Sequence, residues 1–440
     1  MIGDPVEHSL SPVMHNAALR YLGMDKEFVY ERRCIKEDNL DMFVQGMRNG
    51  QVYGANVTIP HKVRIIPFLD RLTKEAELIG AVNTIYKEKN QLVGHNTDGK
   101  GCLDAFRWND VDIKGKKIMI LGAGGSSRAI SFVFALQKPK KITILNRTRG
   151  NADSLAREVA EKTDAKTESG SIRDVKREAR DSDIIINCTP AGMAGKHENH
   201  ALITSDILEP GQVVMDIVYN PQKTRLLKEA ESAGCMALGG MEMLVNQGAG
   251  GLVIWTGKKP PVDVMRAALL LKMKQNIALI GFMAAGKTIT GRKLAKALRW
   301  DFIETDEIIT DKAGKSILEI FESDGEEHFR QLESDAIKEI GEVKNKVISC
   351  GGGIVLRKEN IDELKKIAVV IRLKAAPEEI LKRNHGKTDR PLLQSDDKIG
   401  RIKELMKKRE RYYQQAADFT IDNSDMNHES VIEEILNLIP

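Results

Sequence analysis

The residues best suited to chemistry lie in two glycine-rich turns, each placed between an apolar strand pattern and a helical pattern. Residues 281–288 read Gly-Phe-Met-Ala-Ala-Gly-Lys-Thr and satisfy GxxxxGK[ST] at every fixed position. Glycines let successive backbone N–H groups curl toward a phosphate chain. Lys287 has the reach for the outer phosphates, and Thr288 offers a hydroxyl to Mg²⁺. The helix that starts there turns its positive end toward the anion. Gly281, Ala284, Ala285, Gly286, Lys287 and Thr288 are therefore the candidate contacts to a nucleoside triphosphate. The bland alternative is a plain glycine turn, but the strand before it and the helix after it favour the nucleotide. The motif leaves the acceptor open.

The second turn, Gly122-Ala123-Gly124-Gly125-Ser126-Ser127, fits GxGxx but has Ser127 at the last glycine position. By itself it is an unspecific dinucleotide fingerprint. The next strand is more informative, because an NAD site usually ends that strand in Asp or Glu to take the ribose hydroxyls. Here it ends Asn146-Arg147-Thr148-Arg149, with no acid and two guanidinium groups flanking a hydroxyl. That set suits the 2′-phosphate of NADP better than it suits an ordinary basic loop. Further upstream, Ser11 before Pro12 reads as a helix N-cap followed by an N1 proline, which would explain Ser11 but not Ser9. Asp98 likewise reads as a candidate cap. Lys62 falls in the first helical turn after Pro60, where a cation is electrostatically unfavourable, so its presence points to a function.

These groups must be positioned by short Ile- and Val-rich runs at 27–30, 53–58, 117–121, 141–145, 183–187, 213–218, 276–280, 346–349 and 368–373, alternating with helical patterns. Such alternation predicts parallel α/β sheets. Each glycine-rich unit opens a nucleotide-binding sheet of its own, which places boundaries near residues 109 and 274. The helical pattern 263–273 runs almost directly into the strand at Asn276, so no flexible linker is expected there. The 440 residues suit two to four domains. With 67 basic and 63 acidic residues the net charge is +4, which argues for neither a nucleic-acid nor an anionic-membrane partner. Aromatic residues at 5% also disfavour base stacking. No apolar run reaches transmembrane length, and the start lacks the basic and apolar segments of a signal peptide. Five scattered cysteines without a CxxC pair argue against zinc and disulfides, so the chain reads as cytoplasmic.

The acceptor for the phosphoryl group is suggested by further motifs in order. They are Glu304-Thr305-Asp306, Arg330 with Glu333, Ser349-Cys350-Gly351-Gly352-Gly353, Arg383, Arg390-Pro391-Leu392-Leu393, and Arg409 with Tyr413. Singly, each has a plain reading: Arg330 and Glu333 as a surface i,i+3 pair, Arg409 as part of a solvated helix face. Together they resemble shikimate kinase of the nucleoside-monophosphate-kinase-like type over about residues 275–440. The resemblance implies that Asp306 holds the acceptor hydroxyls and assists deprotonation, and that Arg330 and Arg409 bind the shikimate carboxylate. It further implies that Gly352 and Gly353 line the pocket, that Arg390 reaches in from a lid, and that Arg383 contacts ATP. The family usually carries Asp where this chain has Glu304, the carboxylate that supports Mg²⁺ through water, with Ser349 as a helper behind it.

Residues 1–272 resemble shikimate dehydrogenase. The resemblance rests on Ser9 and Ser11, Asn56 through Lys62, Asn83-Thr84, Asn96 through Gly99, Asn187 through Met193, Asp216 through Asn220, and Gly240 through Gln247. It implies that Lys62 and Asp98 form the catalytic pair and that Ser9 and Ser11 hold the substrate carboxylate. Thr58, Asn83 and Gln247 complete the hydroxyl contacts, and Tyr219 stands on the substrate side. The implied NADP contacts are Gly122, Ala123, Gly124, Gly125, Ser126, Asn146, Arg147, Thr148, Arg149 and Gly240. His61 is given no catalytic role. Family members usually carry several residues before the Ile-Gly-Asp-Pro segment, so the start is expected to be mis-set or the chain to be a fragment.

The expected architecture is α/β: a substrate-binding α/β domain at 1–108, a Rossmann-type NADP domain at 109–273, and a P-loop parallel-sheet domain at 274–440. The expected protein is bifunctional, reducing 3-dehydroshikimate to shikimate with NADPH and then phosphorylating shikimate with ATP and Mg²⁺. Three alternatives stay open at this point: that one half is silent and serves as a scaffold or sensor, that the chain is a metabolite-responsive regulator, and that the front half acts on quinate.

Overall fold

The computed structural model describes residues 1–195, 197–341, 343–384 and 397–439. The chain forms two compact units, Met1–Arg266 and Ala267–Pro440. The division falls inside the helix Val262–Lys274, and the strand Ile277–Ile280 begins after only Gln275 and Asn276. Among the described residues no helix is long and apolar enough to cross a membrane.

The first unit contains a four-stranded sheet in the order Gly54–Asn56, Thr84–Glu88, Gln91–His95, Arg71–Leu72, antiparallel except at its last pair. Ile2–Gly3 pairs in parallel with Arg33–Cys34, and Ile2 also bridges Val57. The helix Leu40–Arg48 buries Leu40, Phe43, Val44 and Met47 against Ile85 and Leu92. This i, i+3, i+4, i+7 stripe is the reason the segment folds as a helix on that core.

A six-stranded parallel sheet follows in the order Met236–Gly239, Val213–Asp216, Ile184–Asn187, Lys117–Leu121, Lys141–Asn146, Thr167–Ser171. Its central strands are near-continuous apolar runs because helices cover both faces. The order reverses between Lys117–Leu121 and Ile184–Asn187, a topological switch point of the kind that opens a ligand crevice in doubly wound sheets. Parallel register sets Asn187 beside both Leu121 and Asp216, so the turn after Leu121 opens over that crevice. The helices Asp98–Trp108 and Met241–Thr256 pack so closely that a Cβ at Gly101 would lie 2.7 Å from the Gln247 nitrogen.

The second unit is a five-stranded parallel sheet in the order Asp301–Glu304, Lys346–Ser349, Ile277–Ile280, Val369–Lys374, Phe419–Asp422. Ile277–Ile280 is central, and the glycine-rich loop leaves its carboxyl end. Glu304 and Leu279 both pair with Ser349, which draws the ends of three strands together beneath that loop.

Most apolar runs in the sequence are strands, with ends trimmed by one or two residues. The run at 27–30 is not a strand; the ladder there is the later pair Arg33–Cys34. The hairpin Thr84–Glu88 and Gln91–His95 lacks an apolar run because its tip alternates Lys, Glu and Gln and is exposed. Its turn, Lys89-Asn90, takes positive φ at both residues, the backbone that tight hairpins favour. Thr167–Ser171, Met236–Gly239 and Phe419–Asp422 are outermost strands. One side of each is unpaired, and the two-sided apolar pattern of an interior strand is missing.

Candidate active sites

Lys62 enters its site from the four-residue helix His61–Arg64, and Asp98 opens the helix Asp98–Trp108. Both side chains are buried and form an ion pair. Lys62 Nζ donates to Asp98 Oδ2 and also to Ser126 Oγ at 3.1 Å, linking Lys62 to the glycine-rich turn. Asn83 Nδ2 donates to Asp98 Oδ1 at 2.8 Å, and it lies 2.9 Å from Thr97 Oγ1 and 3.4 Å from Gln247 Oε1. Asp98 therefore spends its carboxylate on Lys62 and Asn83. No side chain caps that helix, which corrects the capping reading of Asp98.

Ser11 is also not an N-cap. The helix begins at Ser11 itself, with Leu10 in the cap position and no side-chain capping bond. Ser9 Oγ donates to Ser11 Oγ at 3.2 Å and accepts from the Ser11 N–H at 3.2 Å. The Tyr219 phenol joins them, hydrogen-bonded to the Ser9 side chain and the Leu10 backbone, and burial raises its pKa. Thr58 is partly buried, its backbone bonded to Ile2 and His61. His61 is buried with Nε2 2.6 Å from the Ile35 carbonyl, a packing contact that leaves it outside the site.

On the nucleotide side, Gly124 holds the N-cap of the helix Gly125–Ala135 without any side-chain cap, and a Cβ at Gly124 would meet nothing within 4 Å. This turn keeps its N–H groups open to an anion. Ser127 at the usual glycine position is accommodated because its Oγ donates to the Gly122 carbonyl at 2.6 Å. Ala123 lies in the same turn, and Gly240 packs against the Ile217 carbonyl. Asn146 Nδ2 donates to the Thr148 carbonyl at 3.0 Å, while Arg147, Thr148 and Arg149 are exposed.

In the second unit, Gly286 takes φ +94°, open to glycine, and caps the helix Lys287–Leu298 without a side chain. Lys287 Nζ donates to the carbonyls of Gly281 at 2.9 Å and Phe282 at 3.0 Å, so the lysine holds the rim of its own loop. Ala284 is in the left-handed region at φ +61°. The Ala285 carbonyl accepts from Arg383 Nη1 at 3.3 Å and from Asn423 Nδ2 at 2.8 Å. Thr288 is exposed at the loop exit. Glu304 is buried beside Thr288, Ser349, Asp306 and Lys287, and burial raises its pKa. Among the described residues no hydrogen bond of normal geometry reaches its Oε2 or the Ser349 Oγ beside it, which fits a bound cation shell.

Arg330 and Glu333 are a buried pair, not the surface pair that spacing alone allows: Nη1 lies 2.5 Å from Oε2. Arg409 is likewise buried, not solvated; its Nη1 donates to the Gly352 carbonyl at 3.1 Å, and Tyr413 donates to the same carbonyl at 2.6 Å. A Cβ at Gly353 would fall 1.9 Å from Arg330 Nη1, so only glycine admits the guanidinium there. A Cβ at Gly351 would stand 2.6 Å from Glu333 Oε1 and 2.9 Å from Asp306 Oδ1. Asp306, Arg330, Gly352, Gly353 and Arg409 thus converge. Arg390 lies outside the described residues.

Family models match in chain order. Shikimate dehydrogenase substrate binding domain matches residues 1–85, Shikimate / quinate 5-dehydrogenase 106–219, Shikimate 5'-dehydrogenase C-terminal domain 240–270, and Shikimate kinase 283–440. A shikimate dehydrogenase (NADP(+)) from Methanopyrus kandleri is 44% identical over 273 residues, which are 61% of this chain and 93% of that protein. The chain belongs to the shikimate dehydrogenase family and carries a shikimate kinase domain. Among solved structures, a shikimate dehydrogenase in complex with NADP+ is 41% identical with a TM-score of 0.58, covering 62% of this chain and 93% of that one. Another, from Listeria monocytogenes in complex with shikimate and NAD, is 41% identical with a TM-score of 0.57, covering 61% of this chain and 94% of that one.

Several residues of both sites were not assigned from sequence. In the dehydrogenase half, Asp216 is fully buried, receives Asn187 Nδ2 at 2.9 Å, Thr224 Oγ1 at 2.7 Å and the Val218 N–H at 3.1 Å, and has its pKa pushed up by burial to about 6. It ties together the loops after two neighbouring strands. In the kinase domain, Glu333, Gly351, Tyr413 and Asn423 touch the assigned residues directly. Glu333, Gly351 and Tyr413 stood within the sequence motifs without a role of their own, and Asn423 left no signal.

Proposed function

We propose that this bifunctional shikimate-pathway enzyme reduces 3-dehydroshikimate to shikimate in its dehydrogenase half and phosphorylates the shikimate 3-hydroxyl in its kinase domain. NADPH supplies the hydride for the first step, and MgATP supplies the phosphoryl group for the second. The observation that carries the first step is the buried Lys62–Asp98 pair, tied through Ser126 to the glycine-rich turn. A ketone becomes an alkoxide as it is reduced, and an ammonium held beside that oxygen stabilises the developing charge. Lys62 donates the proton, and Asp98 orients Lys62 while Asn83 steadies the carboxylate. Ser9 and Ser11 hold the substrate carboxylate, with Thr58, Tyr219 and Gln247 on the remaining polar groups. Arg147 and Arg149 at the open strand end receive the 2′-phosphate.

In the kinase domain, Asp306 receives the proton of the attacking hydroxyl, and Arg330 and Arg409 hold the carboxylate against the Gly352-Gly353 backbone. Lys287 and the loop N–H groups neutralise phosphate charge, Arg383 braces the loop, and Thr288 with Glu304 provides for Mg²⁺. Phosphoryl transfer depends mainly on such positioning and charge. A one-pot assay with 3-dehydroshikimate, NADPH and MgATP tests both halves, following NADPH absorbance and ADP release as each component is omitted. ADP formation should require NADPH; ADP release without it would point to another acceptor. Quinate with NADP+ in a parallel reaction should give a much lower kcat/KM than shikimate.

A further inference from the structure

The hydroxyl cluster of Ser9, Ser11 and Tyr219 is neutral, yet it is the end of the cleft assigned to a carboxylate. The charged group that reaches it is Arg32. The segment bearing Arg32 is pinned to the helix Ser11–Tyr21: the Tyr30 N–H donates to Asn16 Oδ1 at 2.8 Å, and Asn16 Nδ2 donates to the Tyr30 carbonyl at 3.0 Å. Two residues on, Arg32 Nη1 donates to the carbonyls of Glu7 and, at 3.2 Å, Ser9. These bonds use Nη1 alone, so the Nε and Nη2 groups take no part in them. The guanidinium is also the charge whose field acts on the Tyr219 phenol. Glu7 in the same loop turns its carboxylate to the Val6 N–H, which donates to Oε2 at 3.1 Å.

We propose that Arg32 is a specificity-determining residue of the dehydrogenase, supplying the positive charge that makes the Ser9–Ser11–Tyr219 cluster select an anionic substrate. The inference rests on the placing of the substrate carboxylate at Ser9 and Ser11 proposed above. Hydroxyls orient a carboxylate but do not distinguish it sharply from an ester. A guanidinium near them does, and because Arg32 is exposed its contribution is screened by salt.

The test measures oxidation of shikimate and of its methyl ester with NADP+ in the intact chain, for the parent protein, Arg32→Gln, Arg32→Lys and Ser11→Ala. In Arg32→Gln, KM for shikimate should rise about tenfold at low salt, a modest effect expected of a solvent-exposed charge, while kcat and the ester KM stay within about twofold. Arg32→Lys should recover most of the acid preference, and added salt should erase it. Equal losses on acid and ester in Arg32→Gln would mean that Arg32 only braces the Glu7–Ser9 backbone and would overturn the proposal. An unchanged acid KM in Arg32→Gln would overturn it too. Ser11→Ala separates the two readings: if it leaves the shikimate KM unaltered, the carboxylate placement itself fails. Thermal melting of the same preparations and an unchanged KM for NADP+ report that the dehydrogenase half of each variant is folded.

Discussion

Arg330 and Glu333 stand one turn apart on the helix Gly325–Ile340 and face inward, with side chains only 7% and 1% exposed. Glu333 Oε2 takes the guanidinium, and Oε1 is buried beside Gly351 with no hydrogen-bond partner among the described residues. Burial raises the Glu333 pKa and the adjacent Arg330 opposes that rise. The pair fixes Arg330 where Gly353 leaves room for it. Replacing Glu333 with Gln should leave the buried Arg330 guanidinium with only the half-exposed Glu326 as counter-charge, at a cost of about 3 kcal/mol. Thermal melting should register that loss, and KM for shikimate should rise at least tenfold while KM for ATP stays near the parent value. An unchanged shikimate KM would show that Arg330 does not need Glu333.

Lys62→Ala should lower ketone reduction by about 10²–10³-fold, the scale of one lost electrostatic donor at a developing oxyanion. Kinase turnover by the same preparation should be untouched. Lys287→Ala should do the converse. Steady-state assays of both reactions on both variants decide the matter, and loss of both activities from either substitution would contradict independent sites.

Arg147 and Arg149 are exposed, the segment 146–149 carries no acid, and Arg149 lies 3.7 Å from Asp153 one turn on. Neutral replacements of both should raise KM for NADPH by about 10–100-fold, in keeping with loss of charge-assisted bonds to a phosphate. KM for NADH should move little. An equal rise for the two nucleotides would remove the 2′-phosphate assignment.

Glu304 holds its carboxylate buried beside Thr288, and among the described residues its Oε2 has no hydrogen-bond partner. Glu304→Gln should shift the Mg²⁺ concentration needed for half-maximal kinase turnover upward several-fold, because one anionic support of the hydrated cation is gone. At saturating Mg²⁺ the KM for ATP should be nearly that of the parent. A metal titration with no shift would take Glu304 out of the cation shell.

His15 is fully buried, its ring stacked on Tyr30 at 4.1 Å between centroids, and burial lowers its pKa from 6.5 to about 3. The folded chain refuses a proton that the unfolded chain accepts below pH 6.5. This contribution to stability is therefore complete above pH 6.5 and is lost progressively as pH falls toward 3. The slope should approach about 1.4 kcal/mol per pH unit. Urea unfolding of the parent and His15→Phe at several acidic pH values should show a shallower acid limb in the variant; parallel limbs would assign acid sensitivity to other groups.

Much of the chemistry was legible because it is local in the chain. The loop from Gly281 to Thr288 works through its own backbone and the helix it opens, so residue type at fixed spacing is enough to recognise it. The same holds for the turn from Gly122. The apolar runs at 117–121 and 346–349 announced interior parallel strands, since such strands are buried on both faces. What could not be read locally was which polar side chains turn inward. Ser11 and Asp98 looked like caps because capping is a local habit of those residue types. The Ser11 side chain instead meets Ser9 two residues back, and that of Asp98 meets Lys62 and Asn83, which other segments bring to it.

The sequence by itself determined two glycine-rich nucleotide loops, the alternating α/β pattern around them and the residue types available for catalysis, because these follow from short-range spacing and periodicity. Only the tertiary structure decided that Arg330, Glu333 and Arg409 are buried, that Tyr413 reaches the Gly352 carbonyl across 61 residues of sequence, and that Lys62 meets Ser126 across 64. Burial and partner choice depend on which elements pack together. That packing is set by the sum of many apolar contacts over the whole unit, which no short stretch of sequence contains.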